Sequence, residues 1–414
     1  MFKFFLFSGL QVGMFHGPII DVFYLSHGLT FKQIFLIQGL HYVGKLLASI
    51  PAGMFADRYR RKSALAIGAF LVAISYFGIG IGSGFAFFAA MEILAGIGRA
   101  FLAGPESAYL FDELERAGRR AEYEWLESLN YSVVNGTLIV VFLLSGPFAS
   151  IALNLPYILS AITLFVATAV ALTLPEGREC STAGEVRQPV PVHLAQMLGS
   201  FRTVTGIILR SDTLLFATIL SCAFVLIREL NYLTEQPLLI ALSFPFHLYG
   251  VLPAVGSALW AGSSCLAPFV MRRFGQIGSN LLLASSAFGL AFALTIVPVS
   301  YASISIYGAF YIFYGLAEPI IRIVSNSSVP DARMRSTVLA FQASISLMPF
   351  CLGASAYGHL LDQKPLTSGF ASLTVIAWLA LLTVCLWFLR LRLRSARFTQ
   401  RVWNFRRIFL AGAR

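Results

Sequence analysis

The chain has 414 residues, 57% hydrophobic and only 12% charged, with a formal net charge of +11 and a mean hydropathy of +0.78. A soluble protein of this length would carry polar faces between its apolar stripes, whereas here many apolar runs last about 20 residues, enough for a helix to cross a ~30 Å hydrocarbon core. This excludes a soluble class, disfavours a lipid-embedded β-barrel because period-two alternation is missing, and turns the positive charge into a topological signal rather than a nucleic-acid one.

The N-terminal stretch MFKFFLFSGLQVGMF is hydrophobic and no A-x-A-like cleavage site follows, so a retained first helix is predicted over 3–27. Eleven more are predicted over 31–56, 63–82, 85–111, 123–147, 150–173, 212–236, 246–271, 277–297, 301–325, 335–360 and 367–390. Between the sixth and seventh lies the one long polar segment, PEGRECSTAGEVRQPVPVHLAQMLGSFRTVTGIILRSD. Its part from His193 to Leu209 has the pattern of an amphipathic helix lying on a membrane surface. The expected fold class is an all-α membrane protein. Its expected divisions are a six-helix bundle at 1–173, a cytoplasmic linker at 174–211, a second bundle at 212–391 and a basic tail at 392–414. The basic turns FADRYRRKSALAIGAF and FVMRRFGQIGSNLLLAS follow the second and eighth helices, which reads as a duplicated architecture with a central site between its halves.

With the N-terminus inside, 24 of the 30 Lys and Arg residues fall in cytoplasmic segments, and only Lys32 and Lys364 fall outside. The other four, Lys45, Arg99, Arg228 and Arg322, lie within spans or at their edges. Both termini are therefore expected in the cytoplasm, with the bacterial inner (plasma) membrane as the location and anionic lipid headgroups as partners of the basic tail. The five cysteines are scattered without a CxxC pair, so neither a disulfide framework nor a metal site is expected. No G-x-x-x-x-G-K-[ST] loop occurs, so no nucleotide or other cofactor is expected.

Ionisable groups inside spans cost about 2.5–3.5 kcal/mol each on insertion and need a reason. The first predicted helix carries His16 and Asp21, the second His41 and Lys45, the fourth Glu92, Arg99 and Glu106, the seventh Arg228 and Glu229, and the tenth Glu318 and Arg322. The spacings 92–99–106, 41–45 and 318–322 place each set on one helical face, which should turn inward. Such groups serve either as proton carriers or as static ion pairs that hold helices together.

The stretch GMFADRYRRK, Gly53 to Lys62, sets one acid before four bases. An acid at the C-terminal end of a helix opposes the local dipole and needs a positive partner. The stretch resembles the signature loop of the major facilitator superfamily, G-x-L-A-D-R-x-G-R-[RK], and departs from it at Phe55 and Arg60. The resemblance implies twelve transmembrane helices in two pseudo-symmetric six-helix bundles. It implies gating by Asp57, Arg58, Arg61 and Asp112, with Asp57 capping the eleventh helix near Arg333 to Thr337 and Arg61 pairing with Asp112. It also implies that helices one, four, seven and ten line the central cavity. Candidate proton-coupling residues are then Asp21, Glu92, Arg99 and Glu318. Candidate solute contacts are His16, Phe15, Arg99, Arg228, Glu229, Glu318 and Arg322.

GIGRAFLAGPESAYLFDEL loosely resembles the helix-four motif of proton-coupled members, and SGPFAS the G-P element of exporters. The resemblance thus implies a monomeric secondary transporter, not an enzyme, with a small-molecule substrate and a proton or sodium ion as coupling ion. The expected activity is proton-coupled export of an amphipathic compound. The alternatives are import or exchange of a specific metabolite or siderophore, and a non-transporting sensor.

Overall fold

The computed structural model describes residues 1–58, 61–103, 105–175, 205–328 and 335–411. Among them, regular structure is helical. We label the helices α1 (Phe2–Gln11), α2 (Ile20–Ser26), α3 (Phe31–Arg58), α4 (Arg61–Ile81), α5 (Phe85–Ala103), α6 (Pro105–Arg116), α7 (Tyr123–Ile151) and α8 (Leu155–Leu172) in the first half. The second half has α9 (Asp212–Ala241), α10 (Val251–Ser264), α11 (Ala267–Ile296), α12 (Tyr301–Ser328), α13 (Arg335–Gln363) and α14 (Leu366–Ala411). Eight of these are long and apolar enough to cross a membrane, by length and composition. The architecture is two six-helix bundles, in which several crossings are interrupted rather than continuous.

The interruptions correct the expected elements. The helix predicted over 3–27 arrives as α1, a 3-10 turn at Gly17–Ile19, and α2. A Cβ on Gly13 would sit 2.3 Å from Thr163 Oγ1, so this backbone is pressed against α8, and Pro18 lacks the N–H that would continue the ladder. The helix predicted over 85–111 is helical over Phe85–Ala103 and Pro105–Arg116, so it carries on past 111. The helix predicted over 246–271 begins as a 3-10 turn at Phe246–Leu248, runs as α10, and re-forms as the first part of α11, which kinks at Gly275 with φ 66°. The last helix continues beyond 390 to Ala411 through the basic tail. Of the surface helix expected at 193–209, only 205–209 fall within the described residues, and these are helical.

Small residues set the spacing inside each bundle. A Cβ on Gly96 would lie 2.0 Å from the carbonyl oxygen of His41, and one on Gly44 would lie 2.5 Å from that of Ile93. Helices α3 and α5 therefore touch backbone to backbone, the close approach expected where lipid supplies no hydrophobic drive. This contact brings residue 41 beside residue 92.

Chain direction defines two ends. Lys3 donates to the Thr173 carbonyl (3.3 Å), and Arg390 pairs with Asp212 (3.1 Å), so the starts of α1 and α9 mark one end of their bundles. At the opposite end the halves interlock. The Asp362 carboxylate on α13 accepts hydrogen bonds from Phe31 N (2.9 Å) and Lys32 N (3.0 Å), capping the N-terminus of α3 across the halves. Beside it, a Cβ on Gly358 would meet the Phe31 carbonyl oxygen at 2.4 Å. Between α7 and the entry to α10, a Cβ on Gly250 would sit 1.7 Å from the Phe142 carbonyl oxygen, and one on Gly146 would sit 2.4 Å from that of His247.

Candidate functional site

The break in the first crossing aims side chains into the molecule. His16 is 2% exposed; its Nδ1 lies 3.0 Å from Ser160 Oγ, and its ring packs on Tyr157 (4.6 Å) and Tyr76 (4.2 Å). One layer away, the Glu92 carboxylate takes a hydrogen bond from Tyr24 (3.1 Å) and faces His41 Nδ1 at 2.9 Å. The Gly44 and Gly96 contacts fix this pair, since they hold the two backbones at the required separation. Arg99 donates to the Gln11 carbonyl at the end of α1 (3.1 Å), and its guanidinium stands 6.0 Å from the Tyr76 ring.

Tyr42 follows His41 on α3 and points the other way. Its hydroxyl donates to Glu229 on α9 (2.8 Å), and Arg228 donates to the same carboxylate (2.5 and 3.0 Å). Two adjacent residues thus reach one acid in each half. Further along α9, Gln236 binds the other half through both amide atoms. Its Oε1 accepts from Asp21 N (2.8 Å) and its Nε2 donates to the Gly17 carbonyl (3.0 Å), which Tyr232 also contacts (3.4 Å). The Asp21 side chain is fully buried beside this strap, and neither carboxylate oxygen has a hydrogen-bond partner.

The remaining candidates are dispersed. Arg322 donates to Glu318 (3.2 Å), and their side chains are 69% and 44% exposed. Glu318 lies within electrostatic reach of Arg228 and of Tyr131 on α7, so it faces the seam between the halves. Phe15 meets Phe148 edge-on at 6.0 Å and packs with Phe142 and Ala254, away from the charged groups. The expected shared face of Glu92, Arg99 and Glu106 turns toward the first crossing, where Glu92 meets Tyr24 on α2, Arg99 meets Gln11 on α1 and Glu106 meets Ser8 on α1. Glu106 accepts from Ser8 (2.7 Å) and Asn130 (3.2 Å), so the three residues take three separate sets of partners. The expected influence of Arg99 on Asp21 or Glu92 has no direct hydrogen bond behind it, since Glu92 is held by His41 and Tyr24. Arg61 opens α4 and is partly buried. The side chains of Asp57, Arg58 and Asp112, and those from Arg333 to Thr337, lie outside the described residues.

Sequence reasoning missed Glu235. It is 5% exposed on α9 and accepts a hydrogen bond from Tyr311 on α12 (2.8 Å). The seventh crossing was expected to stop at 236, before Pro237, but α9 runs through that proline to Ala241 and carries Glu235 inside. The apolar run that resumes after Pro237 was the available signal. Tyr42, Tyr232 and Gln236 were missed as well, because only their partners on other helices give them meaning.

The family model described as Major Facilitator Superfamily matches residues 4–354. Among solved structures, a mutant of the nucleoside transporter NupG is similar at a TM-score of 0.78 and 13% identity, covering 94% of this chain and 99% of that one. A D-xylose-proton symporter is similar at 0.70 and 15% identity, covering 93% and 95%. A bacterial homolog of the human lysosomal transporter Spinster, inward-facing and unoccupied, is similar at 0.69 and 16% identity, covering 94% and 95%. None of the curated proteins matches the chain in sequence. With its all-helical fold and its polar seam between two bundles, the chain belongs to the Major Facilitator Superfamily and is an integral membrane transporter of a small solute.

Proposed function

We propose that this transporter couples proton entry to the export of a small amphipathic organic compound carrying both signs of charge. It works as a monomer in a bacterial inner membrane, with both termini cytoplasmic. The bundles at 1–173 and 212–391 rock against each other about the seam. The observation that carries proton coupling is Asp21, a fully buried carboxylate without a hydrogen-bond partner at the point where Gln236 ties the halves together. An ionised carboxylate with no counter-charge is costly in a membrane interior, whereas the same group in water ionises readily. Parting the halves at the Gln236 strap would therefore change whether Asp21 holds its proton. Closing them again would favour its uptake.

The Arg228–Glu229 and Arg322–Glu318 pairs, with Tyr131 opposite, offer a solute donors, acceptors and an aromatic face. That combination suits a zwitterionic or drug-like compound better than a neutral sugar. The loop at Asp57, Arg58 and Arg61, with Asp112, would gate the end nearer the termini. Uptake is the second reading, favoured by a separate observation: structures of similar fold include a nucleoside transporter and a D-xylose-proton symporter.

Flux into proteoliposomes under an imposed pH gradient tests the proposal. Solute movement against its own gradient, driven by protons running the other way, supports export. Movement with the protons supports uptake. Flux that responds to sodium alone, or to no ion gradient, overturns proton coupling.

A further inference from the structure

Among the described residues, Asp21 is one of two buried acids in the membrane-spanning helices that lack a cationic partner. The other is Glu235, whose carboxylate receives one hydrogen bond, from the neutral Tyr311 hydroxyl. Among the described residues it makes no salt bridge, whereas Glu92 faces His41 and Glu229 binds Arg228. The titratable groups within electrostatic reach of Glu235 are phenols: Tyr311, Tyr307 and Tyr314 on α12, and Tyr232 on its own helix. Those around Asp21 are also phenols, Tyr157 on α8 and Tyr232 on α9.

The two acids lie at matching depth. Asp21 is five residues from the end of α2 and Glu235 six from the end of α9, roughly 8–9 Å of helix in each case. They flank one strap. Tyr232 lies one turn before Glu235 and reaches the Gly17 carbonyl, which lies one turn before Asp21. Gln236, next to Glu235, holds both Gly17 and the Asp21 amide. Each acid belongs to a different half, and the same set of hydrogen bonds ties together the residues beside each. Separation of the halves at this end would break the strap beside both residues.

We infer that Glu235 is a second proton carrier and that each transport cycle moves two protons, one on Asp21 and one on Glu235. This rests on the proton-coupled reading above. In each step a carboxylic acid gives its proton to water and becomes a carboxylate, and it recovers a proton from water on the other side. Tyr311 already donates to the Glu235 oxygen on which the negative charge would develop. Tyr232 and Gln236 make the two events concurrent, because neither acid is wetted while the strap holds.

The proton-to-solute ratio decides the matter. It is read in proteoliposomes as the membrane potential at which net solute flux reverses, at fixed solute and pH gradients. The probe is any transported compound found by a thermal-shift screen of the purified protein. A ratio of two in the wild type, falling to one in Glu235→Gln and to one in Asp21→Asn, is the expected result. Glutamine keeps the shape of the protonated acid and the Tyr311 contact, so a purely structural role for Glu235 would leave the ratio unchanged. A wild-type ratio of one, or a ratio of two that persists in Glu235→Gln, overturns the inference while leaving proton coupling intact. Flux in the wild type that responds to no proton gradient overturns the coupling reading itself, and this inference with it. The wild-type measurement stands even where a variant fails to fold.

Discussion

Glu92 and Glu229 are buried in company; Asp21 and Glu235 are buried without it. The first two each face a basic side chain within 3 Å and take a tyrosine hydroxyl as well. The second two have neutral neighbours only, and Asp21 has no partner for either oxygen. A buried charge inside a hydrogen-bonded pair can be permanent, because its neighbours compensate its desolvation. A buried acid without such neighbours is stable in its neutral form and becomes an anion when water arrives. On the proposed reading, the paired acids hold helices in place and the unpaired ones respond to whether the halves are open or shut.

Removal of charge should separate the two kinds. Arg228→Ala has the largest expected effect, because it strands the Glu229 carboxylate. Breaking a fully buried pair costs roughly 3–5 kcal/mol, and the partial exposure of Arg228 reduces this to about 2–3. The thermal unfolding midpoint of the purified protein should fall by roughly 2–4 °C. An unchanged midpoint would show that Glu229 does not depend on its partner. Asp362→Ala comes next. It removes the cross-half cap on α3 at a cost of about 1–2 kcal/mol, enough to change the ratio of closed to open forms at that end by about 5–30-fold. Distances between spin labels on the facing ends of α3 and α13 should lengthen, and an unaltered distribution would remove Asp362 from the latch. Glu92→Gln keeps the Tyr24 contact and loses the charge opposite His41, at about 1 kcal/mol. Its unfolding midpoint should fall measurably but less than that of Arg228→Ala. Asp21→Asn should be the mildest, within about 0.5 kcal/mol of wild type in the same melt, because no hydrogen bond or counter-charge is lost. A drop as large as that of Arg228→Ala would make Asp21 a structural anion and erase the distinction.

Much of the fold is legible in the amino-acid sequence. Runs of apolar residues long enough to span lipid mark the crossings, and GMFADRYRRK marks the family. Hydropathy is blind to whether a crossing is one helix or two, so the break at residues 12–16 escapes it, although Gly13 and Pro18 stand at or beside it. The in-span charges are visible individually, yet their partners are not. Glu92 finds His41 because glycines 44 and 96 let two backbones touch, and that is a fact about two helices. Glu235 is overlooked for a local reason: Pro237 looks like a helix terminus, and a long α9 absorbs it.

Where Gly250 meets the Phe142 carbonyl and Gly146 meets that of His247, main chain lies directly on main chain. Such a contact does not loosen when a side chain hops between rotamers. Even the methyl group of an alanine at Gly250 would have to push the two segments apart, so the smallest side chain there wedges one half away from the other.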